Sequence, residues 1–199
     1  MEDGAELIER VRLICGARNV LTDTAELLTY RSDGLWRTGP LPLAVALPGD
    51  GAEVASVVRA CAELAVPWTV RGAGTSTDGS ALPRSGALLI VLARMRRILS
   101  LNLEDDEVTV EPGVPAALLA RRVAPSHHFP AETVSTVGGI VAQGAGVTEL
   151  MGLSLVGSGG ARAEIRAGGP GYDIAAAFPG SCGEYGIAVA LTLRLASAG

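Results

Sequence analysis

The feature that most constrains the fold is a glycine-rich stretch, RGAGTSTDGSALPRSG at residues 71–86, which lies between two strongly apolar segments. Glycine weakens strands and helices, so a stretch of this composition is predicted to be a loop. Where no Cβ stands in the way, a loop can bring backbone N–H groups close to a phosphate. Its spacing matches neither the GxGxxG dinucleotide fingerprint nor the P-loop. Taken alone, the stretch is equally compatible with a phosphate-binding loop and a mobile surface loop.

The segments around this loop predict a strand–helix–strand unit. AVALP at residues 44–48 is typical of a short buried strand, and Asp50 can cap a helix through residues 52–66. PWTVR at residues 67–71 follows directly as a second strand, and ALLIVL at residues 87–92 supplies another after the loop. A strand, a helix and a strand at this spacing normally form a right-handed unit with parallel strands.

The second half of the chain predicts antiparallel hairpins. ILSLNLEDDEVTVEPG at residues 98–113 alternates around an acidic turn at residues 104–107, whose side chains are expected to be solvated. A second hairpin is predicted to turn at residues 158–160, and residues 138–146 form a small-residue segment expected to be flexible. Short helices are predicted at PAALLARRVA and YDIAAAF, and a final strand at GIAVALTLRL.

These elements together predict an α+β fold in a single domain, residues 1–199. Its first lobe, about residues 1–100, contains the parallel-strand unit, and its second lobe, about residues 101–199, is mainly antiparallel. No stretch remains that could form a separate substrate or cap domain.

Composition limits the possible functions. Hydrophobic residues make up 48% and charged residues 19%, which indicates a compact fold, and the net charge of −5 without a basic tract argues against nucleic-acid or anionic-membrane partners. The longest apolar run, ALLIVLA, is too short to cross a bilayer, so no membrane insertion is expected. The three cysteines contain no CxxC, and neither a disulfide framework nor a metal site is predicted. The acidic amino-terminal segment resembles no signal peptide, which favours a cytoplasmic protein.

Two further glycine-rich clusters favour the interpretation of residues 71–86 as a ligand-binding loop over that of a mobile surface loop. STVGGIVAQGAG lies at residues 135–146 and GSCGEYGI at residues 180–187. Three separated small-residue clusters in one modest domain indicate that several backbone segments converge on one large ligand.

At this point the sequence resembles a known family, the FAD-binding domain of the vanillyl-alcohol oxidase (PCMH) type. Within it, the chain is most similar to the FAD-binding subunits of bacterial glycolate oxidase and to FAD-linked D-lactate dehydrogenases. The resemblance spans about residues 30–195. It rests on these segments, in this order: YRSDGL, VPWTVRGAGTSTDGSALP, LLIVLARMRRILSLNLEDDEVTVEPGV, STVGGIVAQGAG and GYDIAAAFPGSCGEYGIAVALTLRL.

The resemblance implies a two-lobe PCMH-type fold with FAD in the cleft between the lobes. It implies that RGAGTS wraps the pyrophosphate, that residues 135–139 pass close to the flavin, and that Ile187 lies beside it through its backbone. Members with covalently attached FAD often carry histidine where this chain has Thr75, so noncovalent binding is expected. The candidate cofactor-binding residues are Arg71, Gly72, Ala73, Gly74, Thr75, Ser76, Ser135, Thr136, Gly138, Gly139 and Ile187.

The function implied by the resemblance is that of an FAD-binding subunit or domain of an oxidoreductase acting on small 2-hydroxy acids of the glycolate or lactate type. Substrate chemistry would then require a cap-bearing or electron-transfer partner, and no side chain of this sequence is assigned a catalytic role. The alternative is a degenerate, cofactor-free remnant of a flavin domain that serves as a binding or scaffold subunit.

Several conspicuous side chains are given ordinary structural roles. His127 and His128 are expected in a surface turn rather than as a base, because adjacent residues point in different directions. Cys182, which replaces the family's glutamate in GSEG, is expected to be a small packed thiol because no cation is near it in the sequence. Trp36 and Trp68 are expected to be packing groups.

Overall fold

The computed structural model describes residues 2–130, 134–145, 149–169 and 172–198. Its chain divides into two compact units. Unit 1 comprises Met1–Arg94 and Val156–Arg162, and unit 2 comprises Met95–Leu155 and Ala163–Gly199.

Unit 1 is built around a four-stranded sheet with the strand order β1-β2-β4-β3. Strand β4 pairs in parallel with both β2 and β3, while the short strand β1 runs antiparallel to β2. The predicted parallel unit is therefore confirmed, with β4 inserted between the two strands that flank the helix. The elements are α1 (Glu2–Cys15), a 3-10 turn (Ala17–Asn19), β1 (Val20–Leu21), α2 (Thr24–Leu28), β2 (Ala44–Ala46), α3 (Gly51–Glu63), β3 (Trp68–Arg71), β4 (Leu88–Val91) and a second 3-10 turn (Leu92–Arg94).

In helix α3, local sequence determines where the helix begins and which face is buried. The Asp50 carboxylate accepts hydrogen bonds from the backbone N–H groups of Ala52 and Glu53, at 2.8 and 2.9 Å, as predicted for an N-cap. Glu53 in turn accepts a hydrogen bond from the Gly49 N–H at 2.7 Å, which satisfies a further donor at the helix start. The buried face repeats at helical spacing and consists of Val54, Ala55, Val57, Val58, Ala60 and Cys61.

Unit 2 contains a five-stranded sheet with the strand order β5-β6-β10-β8-β9. Strand β6 pairs antiparallel with β5 and with β10, so the predicted antiparallel lobe is confirmed. The elements are β5 (Ile98–Asn102), β6 (Glu107–Val110), α4 (Ala116–Val123), β7 (His127–His128), α5 (Val137–Gln143), β8 (Glu149–Val156), β9 (Arg162–Arg166), α6 (Ile174–Ala177), β10 (Ile187–Arg194) and β11 (Ala196–Ser197).

The segment expected to be flexible, residues 138–146, is instead largely helical over its described part, residues 138–145. It contributes to α5, whose start is capped by Thr136 and whose end is closed by Gly144 with a φ of 68°. Val137, Ile140 and Val141 are buried at helical spacing. The prediction was wrong because the glycines between them hid a short amphipathic pattern.

Candidate functional site

The glycine-rich loop begins where β3 ends, so its first residue follows the carboxyl end of a parallel strand. In open α/β sheets this edge is where ligands usually bind. Within the loop, Gly72, Gly74, Thr75 and Ser76 are half-buried, whereas Ala73 is exposed. The candidate residues of unit 1 are therefore together on one loop.

Arg71 does not extend into solvent at the head of this loop. Its side chain is buried, and Nη1 donates to the carbonyl oxygens of Tyr30, Ser32 and Ala81 at 3.2, 2.8 and 3.0 Å. Burial lowers the pKa of Arg71, against smaller opposing effects of Tyr30 and Asp33. The guanidinium stays charged nonetheless, because the ordinary pKa of arginine is far above neutrality.

Gly74 lies directly against this guanidinium. A Cβ at this position would overlap Nη2 and Cζ of Arg71 and would lie 2.6 Å from its Nε. The backbone of Gly74 also has a φ of 76°, which side-chain-bearing residues rarely adopt. Glycine is therefore required here by the protein's own arginine as well as by the turn.

The loop carbonyls face a second turn, whose contact with the loop the sequence analysis did not anticipate. The Gly34 N–H donates to the Ser76 carbonyl at 2.9 Å, and Arg37 Nη2 donates to the Thr77 carbonyl at 2.5 Å. The Thr75 carbonyl approaches so closely that a Cβ on Gly34 would lie 2.5 Å from its oxygen. The only sequence signal for this turn was its YRSDGL motif.

Since a trans peptide places N–H opposite C=O, the N–H groups of Ser76 and Thr77 point away from that turn. Within the described residues, the N–H groups of Ala73, Gly74, Thr75, Ser76 and Thr77 donate no hydrogen bond. A row of backbone N–H groups without partners, on a loop with little side-chain bulk, is a suitable cradle for a phosphate.

The hydroxyl of Ser76 has a local role. It donates to the Asp78 carboxylate and lies 2.9 Å from the Ser80 Oγ, and the Ser80 N–H also donates to Asp78 at 2.8 Å. Because a hydroxyl carries one hydrogen, Ser76 contributes to the loop's shape through its side chain. Its backbone N–H is the group available to a ligand.

The turn that holds the loop is itself organised by Asp33. This carboxylate is buried, and it accepts from the N–H groups of Leu35 and Arg37 at 2.9 and 3.0 Å and from Arg37 Nε at 2.7 Å. Burial raises the pKa of Asp33, but these hydrogen bonds outweigh that effect and hold it below its ordinary value. At the tip, Trp36 is 85% exposed with a φ of 60°, so the expectation that it packs was wrong.

The second candidate segment, residues 135–139, lies in unit 2 at the start of α5. Thr136 Oγ1 accepts from the Gly139 N–H at 3.3 Å. The Gly138 N–H donates to the Pro112 carbonyl at 2.8 Å, and a Cβ on Gly138 would lie 2.6 Å from the Pro112 Cβ. Gly138 is therefore needed for close backbone packing, whatever else it contacts.

Ile187 is the first residue of β10 and is almost fully buried, so its side chain packs inside unit 2. The loop before it packs on the other end of α5 from Thr136. The Gly180 and Cys182 N–H groups donate to the carbonyls of Val141 and Ala142 at 3.3 and 2.9 Å.

Cys182 is not the packed thiol that was expected. It is exposed and has a φ of 53°, and its Sγ lies 3.8 Å from Nε2 of Gln143. None of the three cysteines forms a disulfide.

His127 is not in a surface turn, so that expectation was also wrong. It lies in β7, which pairs with β11, and is buried. Its Nε2 is 2.7 Å from Oδ1 of Asp106 and its Nδ1 is 2.9 Å from Oγ of Ser126, while Ser197 Oγ donates to the same Asp106 oxygen at 3.1 Å. This side chain holds the strand pair together. The sequence placed Asp106 in a solvated acidic turn and so missed the contact.

The described residues contain no group of three or more His, Cys, Asp or Glu side chains that could hold a metal ion. Over the same part of the chain, every helix is too short or too polar to span a bilayer.

Comparison with known proteins places this geometry in context. The sequence profile of the FAD binding domain matches residues 42–153. The glycolate oxidase subunit GlcD of Escherichia coli K12 is 31% identical over an alignment of 194 residues that covers 88% of this chain and 39% of that protein. The D-2-hydroxyglutarate dehydrogenase of Xanthomonas citri is 33% identical over 199 aligned residues, covering 90% of this chain and 42% of that protein.

Among solved structures, the 4-ethylphenol oxidase of Gulosibacter chungangensis superimposes with a TM-score of 0.86 at 24% identity. The match covers 98% of this chain and 43% of the oxidase, and at this identity it establishes the fold alone. The chain thus spans less than half the length of each of these three proteins.

Proposed function

Because the chain belongs to the family of PCMH-type FAD binding domains, we propose that it holds FAD noncovalently, with the glycine-rich loop of unit 1 around the pyrophosphate. The fold is the α+β fold of the vanillyl-alcohol oxidase type, and FAD is the cofactor of such domains. When bound, the isoalloxazine accepts and passes on electrons, while the protein supplies position and electrostatics.

The observation that carries the proposal is the row of backbone N–H groups at residues 73–77. Within the described residues, these groups donate no hydrogen bond. A pyrophosphate offers anionic oxygens to such donors, and hydrogen bonds to charged acceptors are stronger than those to neutral ones. Of the predicted set, Gly72, Ala73, Gly74, Thr75 and Ser76 contribute backbone groups to this loop. Arg71 lies behind it.

The candidates in unit 2 have a different proposed role. The backbone of Ser135, Thr136, Gly138 and Gly139, and that of Ile187, would lie beside the flavin. The support is the family resemblance of STVGG and GEYGI.

Thr75 supports noncovalent attachment, because it stands where some family members carry the histidine that holds FAD covalently. A threonine hydroxyl is a poor nucleophile at its ordinary pKa, unlike the histidine ring it replaces. FAD should therefore leave the protein on acid precipitation.

We further propose that residues 1–199 form a single FAD-binding domain, or subunit, of an oxidoreductase that acts on small 2-hydroxy acids. The names of the two curated relatives, glycolate oxidase subunit and D-2-hydroxyglutarate dehydrogenase, support this substrate class. A cap-bearing or electron-transfer partner would complete the substrate side. The cysteines without disulfides fit a reducing compartment, which supports a cytoplasmic location.

The test is a titration of the purified protein with FAD, followed by quenching of flavin fluorescence. Riboflavin, which lacks the pyrophosphate, is the matched control ligand and is expected to bind far more weakly. Precipitation with acid should release all bound flavin into the supernatant. If FAD causes no quenching and the purified protein carries no flavin, the proposal fails and the chain is a cofactor-free binding or scaffold subunit.

A second measurement addresses the partner. The isolated chain is expected to show little or no turnover of glycolate or D-lactate with an artificial electron acceptor. Rapid turnover by the pure chain would contradict the need for a partner and leave FAD binding intact.

A further inference from the structure

We propose that Arg71 is a positioning residue that shapes the phosphate-binding loop from behind, and that its side chain is not the group that neutralises the ligand's charge. This inference rests on the proposed binding of FAD by the same loop. It also explains why residue 74 must be glycine: the Arg71 guanidinium occupies the space that a side chain there would need.

The first support is the set of acceptors around the guanidinium. Nη1 bonds to the carbonyls of Tyr30 and Ser32, which precede Arg71 by about 40 positions, and to that of Ala81, ten positions after it. One nitrogen thereby joins the start of the loop, its far side and the segment that leads into the Asp33 turn. Without this donor the Ala81 carbonyl would be left unsatisfied in a buried place, which is costly, and the half-buried Tyr30 and Ser32 carbonyls would lose the group that holds them to the loop.

The second support is that the backbone of the loop passes directly over the Arg71 guanidinium. At Gly74 the chain passes so close to the guanidinium that a Cβ would overlap it, and Nε and Nη2 lie on the side that Gly74 covers. The left-handed φ of Gly74 turns the backbone around the arginine. The loop is therefore wrapped over the arginine, and its N–H groups are presented by this wrapping.

The third support is the contact between the loop and the turn that contains Gly34 and Arg37. The Ser76 carbonyl accepts from the Gly34 N–H and the Thr75 carbonyl lies against Gly34, so the Thr77 and Ser76 N–H groups of the same two peptides point the other way. With the carbonyls held by Gly34 and Arg37 and the loop held from beneath by Arg71, the orientation of the N–H groups is fixed before a ligand arrives. Preorganisation of this kind raises affinity without adding contacts.

The chain provides a control that separates the arginine's effect from backbone strain. Gly86 has a φ of 71°, close to the 76° of Gly74, but a Cβ there would meet nothing within 4 Å. Gly74→Ala and Gly86→Ala therefore share the strain of a left-handed alanine, and only Gly74→Ala adds the overlap with Arg71.

The first experiment needs no FAD. Thermal unfolding is measured for Gly74→Ala and Gly86→Ala, each in the natural background and with Arg71→Met. Gly74→Ala is expected to lower the melting temperature more than Gly86→Ala, and Arg71→Met is expected to remove most of that difference. Equal shifts for the two alanine variants, or a difference that persists without Arg71, would overturn the inference.

The second experiment uses FAD and compares Arg71→Lys with the unaltered protein at several salt concentrations. Lysine keeps the charge but not the guanidinium geometry, so a positioning role predicts roughly a tenfold or greater loss of FAD affinity. The dependence of that affinity on salt should be unchanged. Circular dichroism checks that the variant is folded.

A direct charge contact predicts the opposite pattern. Arg71→Lys would then bind FAD nearly as well as the natural protein, and Arg71→Met would reduce the salt dependence; this result would overturn the inference. If the natural protein binds no FAD, the proposed function fails, while the unfolding experiment still tests the contact between Arg71 and Gly74.

Discussion

The two units treat a buried charge in different ways. In unit 1, the Arg71 guanidinium donates only to neutral carbonyl oxygens, and no carboxylate among the described residues forms a salt bridge with it. In unit 2, the buried Glu111 carboxylate is paired with Arg97, whose Nε and Nη2 reach it at 3.0 and 2.6 Å. Unit 1 also contains a buried carboxylate that is paired, Asp33 with Arg37, but its Arg71 is bonded to neutral groups. The buried charge of Glu111 in unit 2 is instead matched by Arg97.

The two buried charges therefore have different effects on their surroundings. The Arg71 guanidinium holds backbone carbonyls in place beneath the glycine-rich loop, so it fixes the conformation of a loop whose N–H groups from Ala73 to Thr77 donate no hydrogen bond within the described residues. The loop therefore offers its own N–H groups to a phosphate, while the guanidinium stays covered. The Arg97–Glu111 pair can contribute to stability alone.

The largest expected effect on stability is that of Glu111→Ala. Removing this carboxylate deprives the Arg97 N–H and guanidinium of their acceptor and opens space in a buried place. The free energy of unfolding should fall by about 3 kcal/mol, because the Arg97 N–H loses a charged acceptor and a buried space opens. The Arg97 side chain is 67% exposed and can be solvated by water. Chemical denaturation measures it, with Glu111→Gln as the near-isosteric control.

The same variant sharpens the comparison between the units. If Arg97–Glu111 acts on stability alone, folded Glu111→Ala protein should lose less FAD affinity than Arg71→Met does. A larger loss of FAD affinity in Glu111→Ala would show that the neutralised pair is also part of the binding machinery.

Gly34→Ala tests the other support of the loop. Its Cβ would lie 2.5 Å from the Thr75 carbonyl oxygen, so the turn and the loop must separate and the hydrogen bond to Ser76 must weaken. We expect unfolding to become easier by about 2 kcal/mol, within the range for overpacking, together with weaker FAD binding.

Gly159→Ala is the matched control, because a Cβ there would meet nothing within 4 Å. It should leave stability within about 0.5 kcal/mol of the natural protein, as most open surface substitutions do. If Gly34→Ala behaves like Gly159→Ala in both denaturation and FAD titration, the close approach of the turn to the loop is not needed for either property.

The smallest expected effect concerns acid stability in unit 2. The hydrogen bond with His127 lowers the pKa of Asp106, with help from Ser197, against a smaller effect of burial. A lowered carboxyl pKa gives stability that is present above the unfolded value of about 3.9 and is lost as the pH falls through the folded pKa. The natural protein should therefore lose this contribution below about pH 4.

Asp106→Asn removes the titrating group while keeping a residue that tolerates the φ of 55° at this position. Its denaturation midpoint should fall less steeply between pH 5 and pH 3 than that of the natural protein, in the window set by the ordinary pKa of about 3.9. Asp105→Asn, in the same turn, serves as the control. An unchanged slope for Asp106→Asn would show that the contact with His127 does not contribute to acid stability.

Much of unit 1 was predictable because its signals are local. Asp50 before an apolar helical pattern marks the start of α3, and the uninterrupted apolar run of β4 is typical of a fully buried parallel strand. Helix α5 escaped prediction because two of its seven residues are glycine, which lowers helix propensity without preventing Val137, Ile140 and Val141 from packing on one side.

The amino-acid sequence was enough to predict a glycine-rich loop after a parallel strand, to show that Thr75 stands in place of a histidine that could carry flavin, and to assign the chain to a family of FAD binding domains. It could not determine which groups of that loop face a ligand. The folded structure was needed to see that Arg71 is bonded to carbonyls 41 and 39 positions away and that Gly34 accommodates the Thr75 carbonyl. The physical reason is that a buried polar group must find whatever partner the fold brings to it, and such partners are set by the packing of distant segments.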